Sequence, residues 1–424
     1  MIALIDCDSF YCSCHIVFEP ALTNAAVCVA SNNDGCLISL NRQAKALKLR
    51  MGDPVFKVQP LIKKYDVKVF SSSFYLYGDM SRRVMQVLSA FSPEQEIYSI
   101  DECWLSLAGI PGDLTAYGIE MARTVKQWAG IPVSIGIAPT KTLAKVAARF
   151  VKKQLAGTGA VCEWRKLDNP NHYLEALPVT DLWGVSFRLG TRLNNLGISN
   201  ALQLKNADPA TIRRHFGVVL ERTVRELRGT SCIPLEQSPP PKQQIMVSRS
   251  FGEKLTRFDD IRSAVSAFAA RACEKLRSQA LCANNLCVFI HTSPFDASTQ
   301  HYANAATIPL GQPSQDTRRL TQVAIHGLRR IFKDGYKYQK AGVLLLDLMP
   351  KHMEQLRLFD DYKTIPEYYY NDRLMAVVDD INQTYGRDSI RLGGATLSSN
   401  WRMRQTMLSP AYTTRWEDIP LVRM

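Results

Sequence analysis

The sequence predicts a multidomain α+β chain, and three observations carry that expectation. Acidic residues sit inside two short apolar runs, Asp6 in MIALIDCDSFY and Asp101 with Glu102 in EIYSIDECWLSL, each reading as a β-strand. A helical, short-looped block follows over 167–235. After three consecutive prolines in SPPPKQQ, an extended and semi-stiff linker, residues 242–350 run in the order β-α-β-β-α-β. The chain has 424 residues, enough for several domains with real cores, and its 46% hydrophobic and 21% charged content is that of a globular protein.

Taken in order, residues 1–20 read as a strand followed by an aromatic turn at Phe10 and Tyr11. AAVCVAS reads as a strand, Asn32-Asn33-Asp34-Gly35 as a polar turn, and RQAKALK as helical. MSRRVMQVLSAF is amphipathic, with Val84, Val87, Leu88 and Phe91 on one side. DLTAYGIEMARTVKQWAG is a helix opened by an Asp cap, IPVSIGIAP an apolar strand, and TKTLAKVAARFVKK a basic helix. LWGVSFRLGTRLNNLGI, residues 182–198, reads helix, tight turn, helix. In 242–350 the strands are IMVSRSFG, LCVFIHTS, ATIPL and AGVLLLDL, with two helices between them. Residues 351–424 are polar with weak periodicity and read as a tail of short elements and docking segments.

The 52 Lys and Arg against 39 Asp and Glu leave +13, which favours a polyanionic partner, nucleic acid before membrane. The 242–350 module alone holds 15 basic and 8 acidic residues. Cys7, Cys28, Cys36, Cys103, Cys273 and Cys287 lie in apolar runs and read as core residues. Cys12 and Cys14 make no CxxC, and no His/Cys cluster completes a zinc site. No apolar stretch reaches the length of a membrane span and no signal peptide is read, so a reducing cytoplasm is the expected location.

Acids in apolar strands need partners, because an unpaired buried charge is expensive. Adjacent strands carrying Asp6 and Asp101-Glu102 can meet around Mg²⁺, the arrangement that phosphoryl and nucleotidyl transfer needs. Asp8 is expected to cap a turn or pair with a lysine, its side chain on the face opposite Asp6 if the strand continues that far. Arg42, Lys45, Lys152 and Lys153 are either counter-charges for a triphosphate or solvated helix-face residues. The turn at Gly184, Val185 and Ser186 either aims backbone N–H groups at a phosphate or joins an ordinary helical hairpin. In the tail, Gln355, Leu356, Leu358 and Phe359 of QLRLF are either the anchors of a docking peptide or a segment packed on its own domain.

Several runs along the whole chain resemble the Y-family DNA polymerases of the UmuC type: DCDSFYCSC, SNNDGC, YSIDE, GIAPTKTLAK, LWGV, HFGVVLERTVRELRG, SRSFGE, YQKAGV, QLRLFDD and MLSPAYTTRW. That resemblance implies a right-hand polymerase: palm at 1–10 and 77–165, small fingers at 11–76, helix-hairpin-helix thumb at 166–238, little finger at 242–350, and a partner-binding tail at 351–424. It implies template-directed, low-fidelity synthesis across damaged DNA in SOS mutagenesis. Asp6, Asp101 and Glu102 match the family's ligands for two Mg²⁺ ions, with the Cys7 carbonyl completing one site. Tyr11 matches the steric gate that excludes a ribose 2′-hydroxyl, and Lys152 the triphosphate lysine. Arg42 and Lys45 stand where the family often has Tyr and Arg, and Gly184-Val185-Ser186 lacks a common second glycine. The implied partners are primer-template DNA, dNTPs, the sliding clamp through QLRLF, a processed UmuD-like dimer and a recombinase filament. A DNA-holding scaffold would need no carboxylate triad, and a palm-type nucleotide cyclase would need no thumb, basic little finger or clamp peptide.

Overall fold

The computed structural model of the chain describes residues 1–154, 161–238, 240–296, 300–351, 364–394 and 401–421. It divides into two units. Residues up to 238 and those from 406 onward build the first, and 240–405 build the second.

The first unit begins with β1 (Ile2–Cys7) and α1 (Phe10–Phe18). Phe10 and Tyr11, expected in a turn, therefore open a helix. A small sheet follows from β2 (Val27–Ala30), β3 (Leu37–Leu40) and, after α2 (Arg42–Ala46) and α3 (Val55–Lys64), β4 (Lys68–Ser71), in the order β3-β2-β4. Buried Asn41 ties this region together. Its side-chain oxygen accepts from the Val27 N–H (3.0 Å) and from the Ala44 N–H (2.9 Å), so it caps α2 and pins it to β2.

After α4 (Phe74–Leu88) the run EIYSIDECWLSL proves to be a hairpin, not one strand: β5 (Gln95–Ile97) and β6 (Glu102–Ser106). The Tyr98 and Ser99 N–H groups both donate to the Glu102 carbonyl at 3.1 Å, and the Ser99 hydroxyl accepts from the N–H of Asp101 (3.2 Å) and Glu102 (3.0 Å). Then come α5 (Leu114–Ala129), capped by Asp113 as expected, β7 (Val133–Ala138), α6 (Lys141–Gln154) and β8 (Val161–Glu163). The large sheet has the order β5-β6-β1-β7-β8.

Side-chain alternation splits this sheet into two faces. Ala3, Ile5, Cys7, Cys103 and Leu105 pack with Val84, Met121 and Val125 of α4 and α5. Leu4 and Trp104 pack on the other side with Leu143, Ala144, Ala147 and Ala148 of α6. A Cβ on Gly136 of β7 would lie 2.1 Å from the Ala144 carbonyl, so only glycine lets α6 approach the sheet this closely.

Beyond β8 the unit is helical: α7 (Pro170–Glu175), α8 (Phe187–Asn194), α9 (Ala201–Asn206), α10 (Pro209–Phe216) and α11 (Val218–Leu227). The expected helix at Leu182-Trp183-Gly184 is instead a turn that follows one 3-10 turn at Val179–Asp181. Gly184 at φ 83° breaks any helix there, and Trp183 packs against Trp104 with ring centroids 5.8 Å apart.

The second unit has the expected order: β9 (Gln244–Leu255), α12 (Phe258–Arg277), β10 (Leu281–Thr292), β11 (Ala303–Ser314), α13 (Thr317–Ile331) and β12 (Tyr338–Pro350), in an antiparallel sheet β11-β10-β12-β9. The stretch expected as short elements contains a 21-residue helix, α14 (Thr364–Thr384). Its Asp379 accepts two bonds from Arg277 (2.6 and 2.7 Å) and its Asp372 pairs with Lys351 (2.6 Å). All eleven cysteines are free thiols, and Cys36 is only half-buried. No helix among the described residues is long and apolar enough to cross a membrane.

One core group carries a pH signature. His15 of α1 is fully buried, stacks on Phe70 at 4.2 Å and lies 2.9 Å from the Tyr77 hydroxyl. Burial pushes its imidazole down from 6.5 to about 4. The unfolded chain therefore binds this proton first, so the contribution is present above pH 6.5 and is lost as pH falls from 6.5 towards 4. Urea unfolding at pH 7 and pH 5 should show a loss that shrinks by about 1–2 kcal/mol in His15→Leu; an unchanged pH dependence would assign it elsewhere.

Candidate active site

Strand register brings the acids together. Asp6 lies directly opposite Glu102 in the antiparallel β1–β6 pair, so both side chains project from the α6 face. The Cys7 N–H donates to the Asp101 carbonyl at 2.8 Å, which fixes the third acid beside them. The Ser99 hydroxyl donates to the Asp101 carboxylate at 2.6 Å.

Helix α6 answers these acids with a row of lysines. Lys141, Lys145 and Lys152 lie four and seven residues apart, hence on one helical face. Lys145 contacts both Glu102 oxygens (2.5 and 2.6 Å), and Lys152 pairs with Asp6. Lys141, itself buried, pairs with Glu96 of β5 at 2.5 Å and donates to the Pro234 carbonyl at 2.8 Å. Sequence reasoning missed Lys145, Lys141 and Glu96. The signal was the four-residue lysine spacing inside TKTLAK, but their partners lie more than forty residues away in sequence.

Burial pushes the Asp6 carboxyl up to about 7, against the pull of Lys152; nearby Glu102 and Asp101 add to the rise. Asp8 does not take the opposite face. Two residues along a strand return to the same face, and Asp8, one residue past the strand end at Cys7, accepts from the Ser134 hydroxyl (2.8 Å) and approaches the same Lys152 as Asp6, at 3.8 Å.

Among the described residues no three His, Cys, Asp or Glu side chains stand as a ready-made ligand cluster, and lysines and Ser99 engage the carboxylates. The donor chemistry nevertheless fits a hard divalent cation: Asp6, Asp101 and Glu102 offer only oxygen, and ammonium groups hold two of them as counter-cations.

Arg42, Lys45 and Lys152 meet at one cavity of about 940 Å³, which Asp8, Ser9, Arg123 and Lys126 also line. The three expected triphosphate residues thus come from α2 and α6 to a common space. Tyr11, in the first turn of α1, stacks on Tyr77 at 4.2 Å and meets the edge of Phe74 at 6.4 Å. Ser186 caps α8 by accepting from the Leu189 N–H (3.3 Å), Val185 is buried, and Gly184 is exposed. Gln355, Leu356, Leu358 and Phe359 lie outside the described residues.

A profile of the impB/mucB/samB family matches residues 5–149, and that of its C-terminal domain matches 242–358. The chain is 44% identical to Protein ImpB and to Protein UmuC of Salmonella typhimurium, with all of each chain covered. It is 42% identical to Protein MucB of Escherichia coli over 99% of each chain. The chain belongs to this family. It is a UmuC-type Y-family DNA polymerase.

Solved structures agree on the fold. A chimera of the Y-family polymerases Dbh and Dpo4 gives a TM-score of 0.65 at 22% identity, over 82% of this chain and 100% of that one. An insertion ternary complex of Dbh DNA polymerase gives 0.53 at 19% identity with the same coverage. The architecture is that of a right-hand polymerase with palm, fingers, thumb and little finger. The activity of this UmuC-type enzyme is DNA-directed DNA synthesis past damage; it takes DNA and dNTPs, and its nucleotidyl transfer depends on a divalent metal. A profile known only as a domain of unknown function matches residues 372–422.

Proposed function

We propose that the acids at the β1–β6 pair are the catalytic centre of this UmuC-type polymerase, and that Asp6, Asp101, Glu102 and the Cys7 carbonyl hold two Mg²⁺ ions. The observation that carries the reading is the Asp6–Glu102 register pair beside the basic cavity of Arg42, Lys45 and Lys152. Bound Mg²⁺ there supplies acidification of the primer 3′-hydroxyl and neutralisation of charge on the pyrophosphate. The three basic residues bind and orient the triphosphate, so that the 3′-oxygen attacks the α-phosphorus and pyrophosphate departs. Tyr11 bounds the sugar.

The large sheet with its helices is the palm, 11–76 the fingers, 166–238 the thumb, 242–350 the little finger, and 351–424 the partner-binding tail. The N–H groups around Gly184, Val185 and Ser186 contact DNA phosphates. QLRLF docks on the sliding clamp, and the tail meets a processed UmuD-like dimer and a recombinase filament, all in the cytoplasm where the DNA lies. Because the DNA contacts are mainly to phosphates, such partners raise effective concentration rather than sequence preference.

Primer extension past an abasic site tests the reading. Extension should need a divalent cation and be stimulated by clamp and filament. Failure to extend damaged or undamaged template, with all partners supplied and DNA bound, would reduce the chain to a DNA-holding role.

A further inference from the structure

The last described residues of the chain pack on the element that carries the sugar gate. Ser71 closes β4 and is fully buried. Its N–H donates to the Met407 carbonyl at 2.8 Å, and its hydroxyl accepts from the Met407 N–H at 2.9 Å. The same hydroxyl donates to Asp34 at 2.5 Å. The other Asp34 oxygen accepts from the Thr406 N–H (2.8 Å) and the Thr406 hydroxyl (3.0 Å). Asp34 and its neighbour Asn33 have φ of 52° and 60°, a left-handed pair without glycine that needs outside contacts to persist.

The segment also grips α1. Tyr412 is 9% exposed, stacks on Phe18 at 4.7 Å and donates to Glu19 at 2.5 Å. Phe18 lies seven residues after Tyr11, two turns along the same helix. From the β4 side, Phe70 stacks on His15, one turn after Tyr11, and Phe74 meets the Tyr11 ring itself. Helix α1 is thus held near its end by Tyr412, one turn after Tyr11 by Phe70, and at the Tyr11 ring by Phe74.

We infer that residues 406–412 form a strap that positions Tyr11: they fix the 31–34 loop, the end of β4 and the rotation of α1, and so set how strictly a ribose is refused. The inference rests on the sugar-gating role proposed for Tyr11. Thr406, Met407 and Tyr412 are positioning residues that touch no substrate. This gives the end of the domain of unknown function a task inside the catalytic unit.

The test is the ratio of ribonucleotide to deoxyribonucleotide insertion by the full chain, under conditions where wild type extends a primer. Tyr11→Ala serves as the reference, with Asp34→Ala and Tyr412→Ala as strap variants. Thr406→Val and Tyr412→Phe, which keep shape and lose one hydrogen bond each, replace any variant whose melting temperature collapses. Strap variants should raise the ratio by about tenfold, because small displacements of a positioning group cost rate and selectivity steeply. If Tyr11→Ala relaxes the ratio and the strap variants keep the wild-type value, the strap has no positioning role. If they lose both activities in proportion, the segment is only structural and the inference fails. If Tyr11→Ala itself leaves the ratio unchanged, the gate reading falls first and the inference with it.

Discussion

Asp101→Asn should abolish primer extension, by about three orders of magnitude in single-turnover rate, the worth of the several kcal/mol that metal-assisted charge neutralisation supplies. The substitution is nearly isosteric, and the amide oxygen can still accept from Ser99, so the turn that carries it should hold. What disappears is a negative charge beside Asp6 and Glu102. Removing one of three crowded carboxylates relieves repulsion, so the melting temperature should stay level or rise. Functional acids are often kept at such a cost. DNA binding measured by salt titration should be unchanged, because it rests on phosphate contacts elsewhere. Retained extension in this variant would remove Asp101 from the metal set.

Tyr11→Ala should convert the enzyme into one that inserts ribonucleotides, with a rise of about a hundredfold in their relative use, the discrimination that a steric pocket achieves against one added hydroxyl. The ring is packed against two aromatic neighbours in the wild type. Tyr77 stacks on it with planes 15° apart, and Phe74 stands across its edge at 86°. Its rigidity makes the exclusion steric rather than electronic. Deoxyribonucleotide insertion should change little, since Tyr11 has no part in holding the triphosphate. An unaltered sugar preference, measured with paired nucleotides on one template, would place the gate elsewhere.

Much of this was legible because local chemistry and tertiary placement agree. Asp6, Asp101 and Glu102 are conspicuous as acids among apolar residues, and the register later puts two of them face to face. The second unit announces itself through alternating apolar runs and long helical periods, and its six elements follow in the expected order. What escaped detection depends on partners distant in sequence. The hairpin inside EIYSIDECWLSL hides because Tyr98 and Ile100 look like strand residues, while the turn is made by the Ser99 hydroxyl and by two N–H groups on one carbonyl. The lysine row of α6 reads as a solvated face until Glu96, Glu102 and Asp6 are set opposite it. Helix α14 has little amphipathic pattern, and its Asp372 and Asp379 pair with Lys351 and Arg277, partners outside the helix. Nothing local in MLSPAYTTRW shows that it returns to β4.

That return sets a clock on biosynthesis. Ser71 precedes its hydrogen-bond partner Met407 by 336 residues in the chain. At about 5–20 residues per second, the early part of the catalytic unit waits roughly 17–67 s for the segment that closes it. Throughout that interval the left-handed turn at Asn33 and Asp34 lacks its Thr406 contacts, and the Phe18 ring lacks its stacking partner. A nascent UmuC-type chain therefore has the strands that carry Asp6 and Glu102 early, but β4 and α1 are braced only after Met407 and Tyr412 have been made. An enzyme that copies DNA inaccurately is thereby late to acquire the geometry it works with.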